Sequence, residues 1–85
     1  MYDIVPDESV NDQVAALPGH ALTAYAEALD VLRLAPWNGF PVNGANPDGP
    51  VRRWDFGYGH AGHALYLILE EQREVHLLLV QWFGA

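Results

Sequence analysis

The stretch Val51-Arg52-Arg53-Trp54-Asp55-Phe56 decides how this chain reads, together with the two apolar runs that follow it. These are His63-Ala64-Leu65-Tyr66-Leu67-Ile68-Leu69 and Val75-His76-Leu77-Leu78-Leu79-Val80-Gln81-Trp82-Phe83. Each run is short and bounded by glycines or by the polar cluster Glu70-Glu71-Gln72-Arg73-Glu74, which favours strands over helices. The links between them are short, so the three strands are expected to form an antiparallel meander. The second and third runs are almost continuously apolar and are expected in the middle of a sheet, with little of either face fully wet. The first run alternates, with Arg52, Trp54 and Phe56 on one side and Val51, Arg53 and Asp55 on the other.

Upstream, residues 2–5 form a short apolar run closed by Pro6, which suits an edge strand. Asp7 or Ser9 then offers a helix cap, and Glu8 and Asp12 suit the positive end of the helix dipole. Val10, Val14 and Leu17 fall on one helical face. Pro18-Gly19 interrupts, and a second helix beginning near Pro18 or His20 is expected to run to Leu34. Its apolar positions at helical spacing are Leu22, Tyr25, Ala26, Leu29 and Leu32. Residues 35–50 carry Pro36, Pro41, Pro47 and Pro50 with three glycines and three asparagines, so they read as a long loop, tacked to the core by Trp37 and Phe40. The predicted fold is α+β in the order β-α-α-β-β-β. An antiparallel sheet of about four strands carries two helices on one face, and residues 1–85 make one domain.

The 85-residue chain has no cysteine, so disulfides and thiolate metal sites are excluded. An ordinary core must suffice, and 51% hydrophobic residues can supply one. The first residues lack the basic and apolar regions of a signal peptide, and no apolar run nears the roughly 20 residues of a membrane span. A cytoplasmic location is therefore expected. Four basic residues stand against eleven acidic ones, for a formal charge of −7. Because nucleic-acid affinity comes largely from neutralised phosphates, tight autonomous nucleic-acid binding is not expected.

The element order and three segments resemble the RelE/ParE superfamily of toxins from bacterial type II toxin–antitoxin pairs. The segments are Leu34-Ala35-Pro36-Trp37-Asn38-Gly39, Val51-Arg52-Arg53-Trp54-Asp55-Phe56 and His63-Ala64-Leu65-Tyr66-Leu67-Ile68. Family members carry a proline and glycine after the second helix, basic residues on the next strand, and an Arg-Leu-Val-Tyr-like entry to the strand after it. The RelE branch comprises ribosome-dependent mRNA endonucleases, and the ParE branch inhibits DNA gyrase without cutting RNA. Cleavage requires activating a ribose 2′-OH, stabilising charge on the phosphate and protonating the leaving 5′ oxygen. The resemblance implies catalytic roles for Arg53 and His63, with Arg52 supporting; His76, on the neighbouring strand, is a further candidate acid or base. The resemblance implies substrate contacts at Arg52 and Arg53; Gln81 is a further substrate-binding candidate, and Tyr66, which matches the family's strand tyrosine, reads as structural. The resemblance also implies an antitoxin partner meeting Trp82 and Phe83, with the ribosome and mRNA as targets. The chain departs from the family at the end of its last strand, where Gln81-Trp82-Phe83-Gly84-Ala85 stands in place of a catalytic Arg, His or Tyr, and in its scarcity of basic residues.

Each candidate has a plainer reading. Arg53 can simply pair with Asp55 or a glutamate, and His63 can be a turn histidine at a strand start. Arg52, in phase with Trp54 and Phe56, can lie at the core's rim or stack on an aromatic. His76 can be structural, and Trp82 and Phe83 can pack on the first helix. His60, His63 and His76 do not define a zinc set, which wants three or four ligands at fixed distance; no metal and no cofactor is expected. The competing class is a non-enzymatic ParE-like gyrase inhibitor, or a catalytically degenerate toxin fold kept as an interaction module.

Overall fold

A computed structural model describes residues 1–84. Strand β1 (Asp3–Pro6) leads into helices α1 (Glu8–Ala15) and α2 (Gly19–Leu34). A short strand β2 (Phe40–Pro41) follows, then the meander β3 (Val51–Phe56), β4 (Gly62–Leu69) and β5 (Glu74–Trp82). The sheet has five strands in the order β1-β5-β4-β3-β2. The meander and the interior places of the two apolar runs agree with the sequence reading.

Two features of the sheet differ from it. The pairing of β1 with β5 is parallel, Ile4 opposite Val75 and Val5 opposite His76. No hairpin joins these strands, so the helices and the intervening chain supply the crossover that parallel pairing needs. The fifth strand, β2, lies inside the expected loop, with Phe40 opposite Arg53 and Pro41 opposite Arg52. Proline is tolerated there because β2 is an edge.

Both helices cover one face of the sheet. Val10 and Leu17 share one buried cluster with Ala21, Tyr25, Ala28 and Leu32 of α2 and with Phe56, Ala64, Tyr66, Ile68, Val75, Leu77 and Val80 of the sheet. The stripe of α2 is rotated from the expected one: Leu22 and Ala26 are exposed, while Ala21 and Ala28 are buried. Small side chains at those two positions let the helix approach the sheet closely. Asp7 occupies the N-cap position of α1, but its carboxylate accepts from the Ser9 hydroxyl (3.0 Å) and not from a helix amide.

A bulge shapes the other face. Leu65 pairs with Leu79 and Tyr66 with Leu77, which leaves Leu78 unpaired. One extra residue reverses the alternation of everything after it. Val75 and Leu77 therefore face the helices before the bulge, Val80 and Trp82 after it, and Gln81 is sent to the uncovered face.

Residues 35–50 are fastened by a buried cation. Arg52 is 8% exposed. It donates from Nε to the Gly49 carbonyl (3.1 Å), from Nη1 to those of Trp37 and Gly39 (3.2 and 3.0 Å), and from Nη2 to that of Pro47 (2.7 Å). Its guanidinium also lies over the Trp37 ring, 5.1 Å from the centroid. Tyr66 adds a bond from its hydroxyl to the Pro36 carbonyl at 2.6 Å, and burial pushes its pKa up to about 12. Phe40, expected to tack the loop down, is 59% exposed and does not. A Cβ on Gly39 would overlap the Tyr66 hydroxyl. Gly39→Ala is therefore expected to destabilise the chain by about 1–3 kcal/mol in urea unfolding; an unchanged midpoint would refute this close approach.

A second fastening joins three remote segments at the β4–β5 turn. Glu70 accepts from the Tyr2 hydroxyl (2.6 Å), the Trp37 indole N–H (2.7 Å) and Arg73 Nη1 (2.7 Å). The Tyr2 bond above all, then those from Trp37 and Arg73, lowers the Glu70 pKa to about 2. A depressed carboxylate contributes stability above its unfolded value, and that contribution is lost as pH falls through the folded one. The thermal midpoint of the wild type is therefore expected to fall on acidification from about pH 4.5 toward 2 more steeply than that of Glu70→Gln. Equal slopes for the two proteins would show that the clasp does not hold the carboxylate.

Candidate functional site

Arg53 and Asp55 share the uncovered face of β3 because they alternate with Arg52, Trp54 and Phe56. The register sets Asp55 opposite His63, and His63 opposite Gln81. Three neighbouring strands thus bring an arginine, a carboxylate, an imidazole and an amide to one place. Arg53, His63 and Gln81 line a cleft of about 390 Å³ with Phe40, Pro41, Val42 and Leu65. Asp55 lines an adjoining hollow of about 140 Å³ with Phe40, Trp54 and His60.

Asp55 sits between the two basic groups. Arg53 Nε lies 2.9 Å from Asp55 Oδ1, but out of line for a hydrogen bond, so both atoms are buried without one. The bond that forms runs from Arg53 Nη2 to Asp55 Oδ2 at 3.3 Å. His63 Nε2 is 3.6 Å from the same Oδ1, close to it but beyond hydrogen-bond distance. The Asp55 side chain is only 13% exposed, while that of Arg53 is 41% exposed. The carboxylate is thus rooted in the protein and the guanidinium reaches toward solvent. Asp55 was visible in the sequence only as a possible partner of Arg53; that it also meets His63 depends on strand register.

The remaining candidates fall elsewhere. Arg52, expected as a supporting catalytic and substrate-binding group, is on the helix-covered side with every donor nitrogen committed to carbonyls. His76 shares the open face but pairs with Leu67, four residues along β4 from His63, a separation of about 13 Å. It contacts Glu74, Nε2 to Oε1 at 3.0 Å, and does not line the cleft. Trp82, expected at a partner surface, faces the helices, stacked on Phe56 (centroids 6.2 Å apart) and edge-on to His20 (5.6 Å). Phe83 is 67% exposed and meets the His63 ring edge-on at 5.2 Å. Among the described residues, no group of three or more His, Cys, Asp and Glu is arranged to hold a metal ion, and no helix is long and apolar enough to cross a membrane. Another concavity, of about 300 Å³ between β1 and the helices, is mainly apolar; Arg33, paired with Asp30, is its one charged side chain.

No protein-family model matches the chain, and no curated protein matches it in sequence. Its fold does have solved counterparts. The isolated E. coli RelE toxin superposes with a TM-score of 0.79 at 11% identity, over 100% of this chain and 87% of that one. The RelE–RelB complex from Pyrococcus horikoshii OT3 gives 0.69 at 14% identity, over 98% and 96% of the two chains. The E. coli RelBE toxin–antitoxin complex gives 0.79 at 11% identity and covers both chains completely. An α+β sheet with two helices on one face and an open face opposite is, in this topology, the RelE toxin fold. This chain carries that fold over essentially its full length.

Proposed function

We propose that this chain is the toxin of a type II toxin–antitoxin pair, cutting mRNA on the ribosome from the open face of its sheet. The observation that carries the reading is the convergence of Arg53, Asp55 and His63 beside one cleft on a RelE-like sheet. Arg53 clamps the scissile phosphate and spreads its developing charge. His63 exchanges the proton, taking it from the 2′-OH or giving it to the leaving 5′ oxygen. Asp55 orients both groups. With Nε2 of His63 turned toward Asp55, Nδ1 is the nitrogen left for the substrate. Arg52 and His76 take no part in the chemistry: the first holds the cleft wall, and the second lies too far along the sheet. Gln81 is a polar contact at the far side of the cleft.

The partner is an antitoxin that covers the open face, as RelB partners RelE in the solved complexes named above. Phe83 and Leu78, both exposed, are its contacts on this side; Trp82 is not among them. Induced expression in a bacterial host is expected to arrest growth with loss of intact mRNA, and a co-expressed antitoxin from the adjacent reading frame to restore it. Growth at the normal rate would overturn the reading.

One observation favours a second reading. Arg53 shares its charge with Asp55, and the other three arginines are occupied. A site so poor in free cations suits a non-enzymatic, ParE-like gyrase inhibitor or a degenerate interaction module. Growth arrest with DNA breaks and intact mRNA would select it.

A further inference from the structure

The chain has four basic residues, all arginines, and no lysine. Arg33 is paired with Asp30 at 3.0 Å and Arg73 with Glu70 at 2.7 Å. Arg52 is buried among carbonyls. Only Arg53 reaches the cleft, so a nucleic acid held there meets one phosphate-neutralising group where a binder of this kind needs several. Its grip must come from something other than charge.

The cleft is flanked by exposed aromatic rings. Phe40 stands opposite Arg53 on the edge strand, 5.8 Å from its guanidinium, and Phe83 lies against His63. At 59% and 67% exposed, neither is held by the core. Tyr58, in the β3–β4 link, is 97% exposed. Single exposed apolar residues are ordinary. Here, however, one ring rests on the group that would hold the phosphate and the other on the group that would move the proton.

We propose that the cleft holds single-stranded RNA chiefly by stacking bases on Phe40 and Phe83, with Arg53 as its one phosphate contact. This rests on the reading of the cleft as an RNA site and adds how the RNA is recognised. Aromatic faces accept any base, so the mode is tolerant of sequence and matches a strongly acidic protein. It also places the bases on either side of the phosphate beside Arg53 and His63.

The test titrates the full chain, with its phenylalanine rings labelled for NMR, using a 2′-O-methyl RNA hexamer that cannot be cut. The same hexamer with two central abasic positions is the control. The Phe40 and Phe83 resonances are expected to move with the intact hexamer and not with the abasic one. Phe40→Leu and Phe83→Leu should each weaken binding about 5- to 100-fold, and Phe→Tyr at either position should restore it. The salt dependence should be shallow, a slope of about −0.7 on logarithmic axes, as for a single neutralised phosphate. Still rings at millimolar hexamer, unchanged affinity in the leucine variants, or a slope of about −3 or steeper would each overturn the proposal. Stacking without mRNA cleavage would remove the nuclease reading and leave this one standing. Cleavage that persists with unchanged hexamer affinity in both leucine variants would do the reverse.

Discussion

Arg52→Ala is expected to destabilise the chain by about 3–5 kcal/mol, among the largest effects of any single substitution. The guanidinium makes four hydrogen bonds to backbone carbonyls spread over residues 37–49. Bonds to a charged donor contribute about 1.5–3 kcal/mol each when isolated. They share one side chain here, so their sum overstates the loss. Against a total stability of about 5–15 kcal/mol, the substitution brings so small a fold near its threshold. Arg52→Lys should fall between the wild type and alanine, because a single ammonium cannot span four acceptors. Urea unfolding measures both. A midpoint shift worth less than about 1 kcal/mol for Arg52→Ala would mean that something else holds the loop. The fastening also bears on function, since Phe40, Pro41 and Val42 of the cleft wall hang from it. Loss of toxicity in an Arg52 variant is thus expected through the cleft's shape, without any contact between Arg52 and a phosphate.

The second large effect falls on chemistry. His63→Ala is expected to slow mRNA cleavage by about 10²- to 10⁴-fold, the usual contribution of a positioned proton-transfer group. Arg53→Ala should cost about 10²- to 10³-fold, as expected for a group that stabilises transition-state charge. Neither side chain is part of the core, so unfolding midpoints should move little in either variant. Asp55→Asn keeps the shape of the side chain and removes its charge. It should slow cleavage less than either alanine, since it acts only by orienting the other two. Cleavage at the wild-type rate in His63→Ala would remove the imidazole from the mechanism, and a fully active Asp55→Asn would remove the carboxylate.

Much of this arrangement can be read from alternation alone, and the parts that cannot have specific causes. In β3 Trp54, Asp55 and Phe56 alternate, and the period of two carried back from them separates Arg52 from Arg53. That Arg52 is buried by carbonyls is not, because its acceptors are backbone groups that any loop sequence carries. In β4 and β5 the nearly continuous apolar runs conceal the phase, and with it the bulge at Leu78 that turns Gln81 outward and Trp82 inward. Strand β2 is hidden among prolines and glycines, since an edge strand of two residues needs no apolar pattern. The parallel pairing of β1 joins positions some seventy residues apart and leaves no local trace. The same holds for the meeting of Asp55 with His63: each is plain on its own strand, and only the register opposes them.

The central claim is that the open face beside Arg53 and His63 cuts RNA, and mapping mRNA ends on translating ribosomes tests it most directly. Purified wild-type protein, His63→Ala and Arg53→Ala would each be added at equal concentration. The account predicts new mRNA ends within the ribosome-covered region for the wild type, and their near disappearance in both variants. No new ends with the wild type, or the same ends at the same rate with both variants, would contradict it.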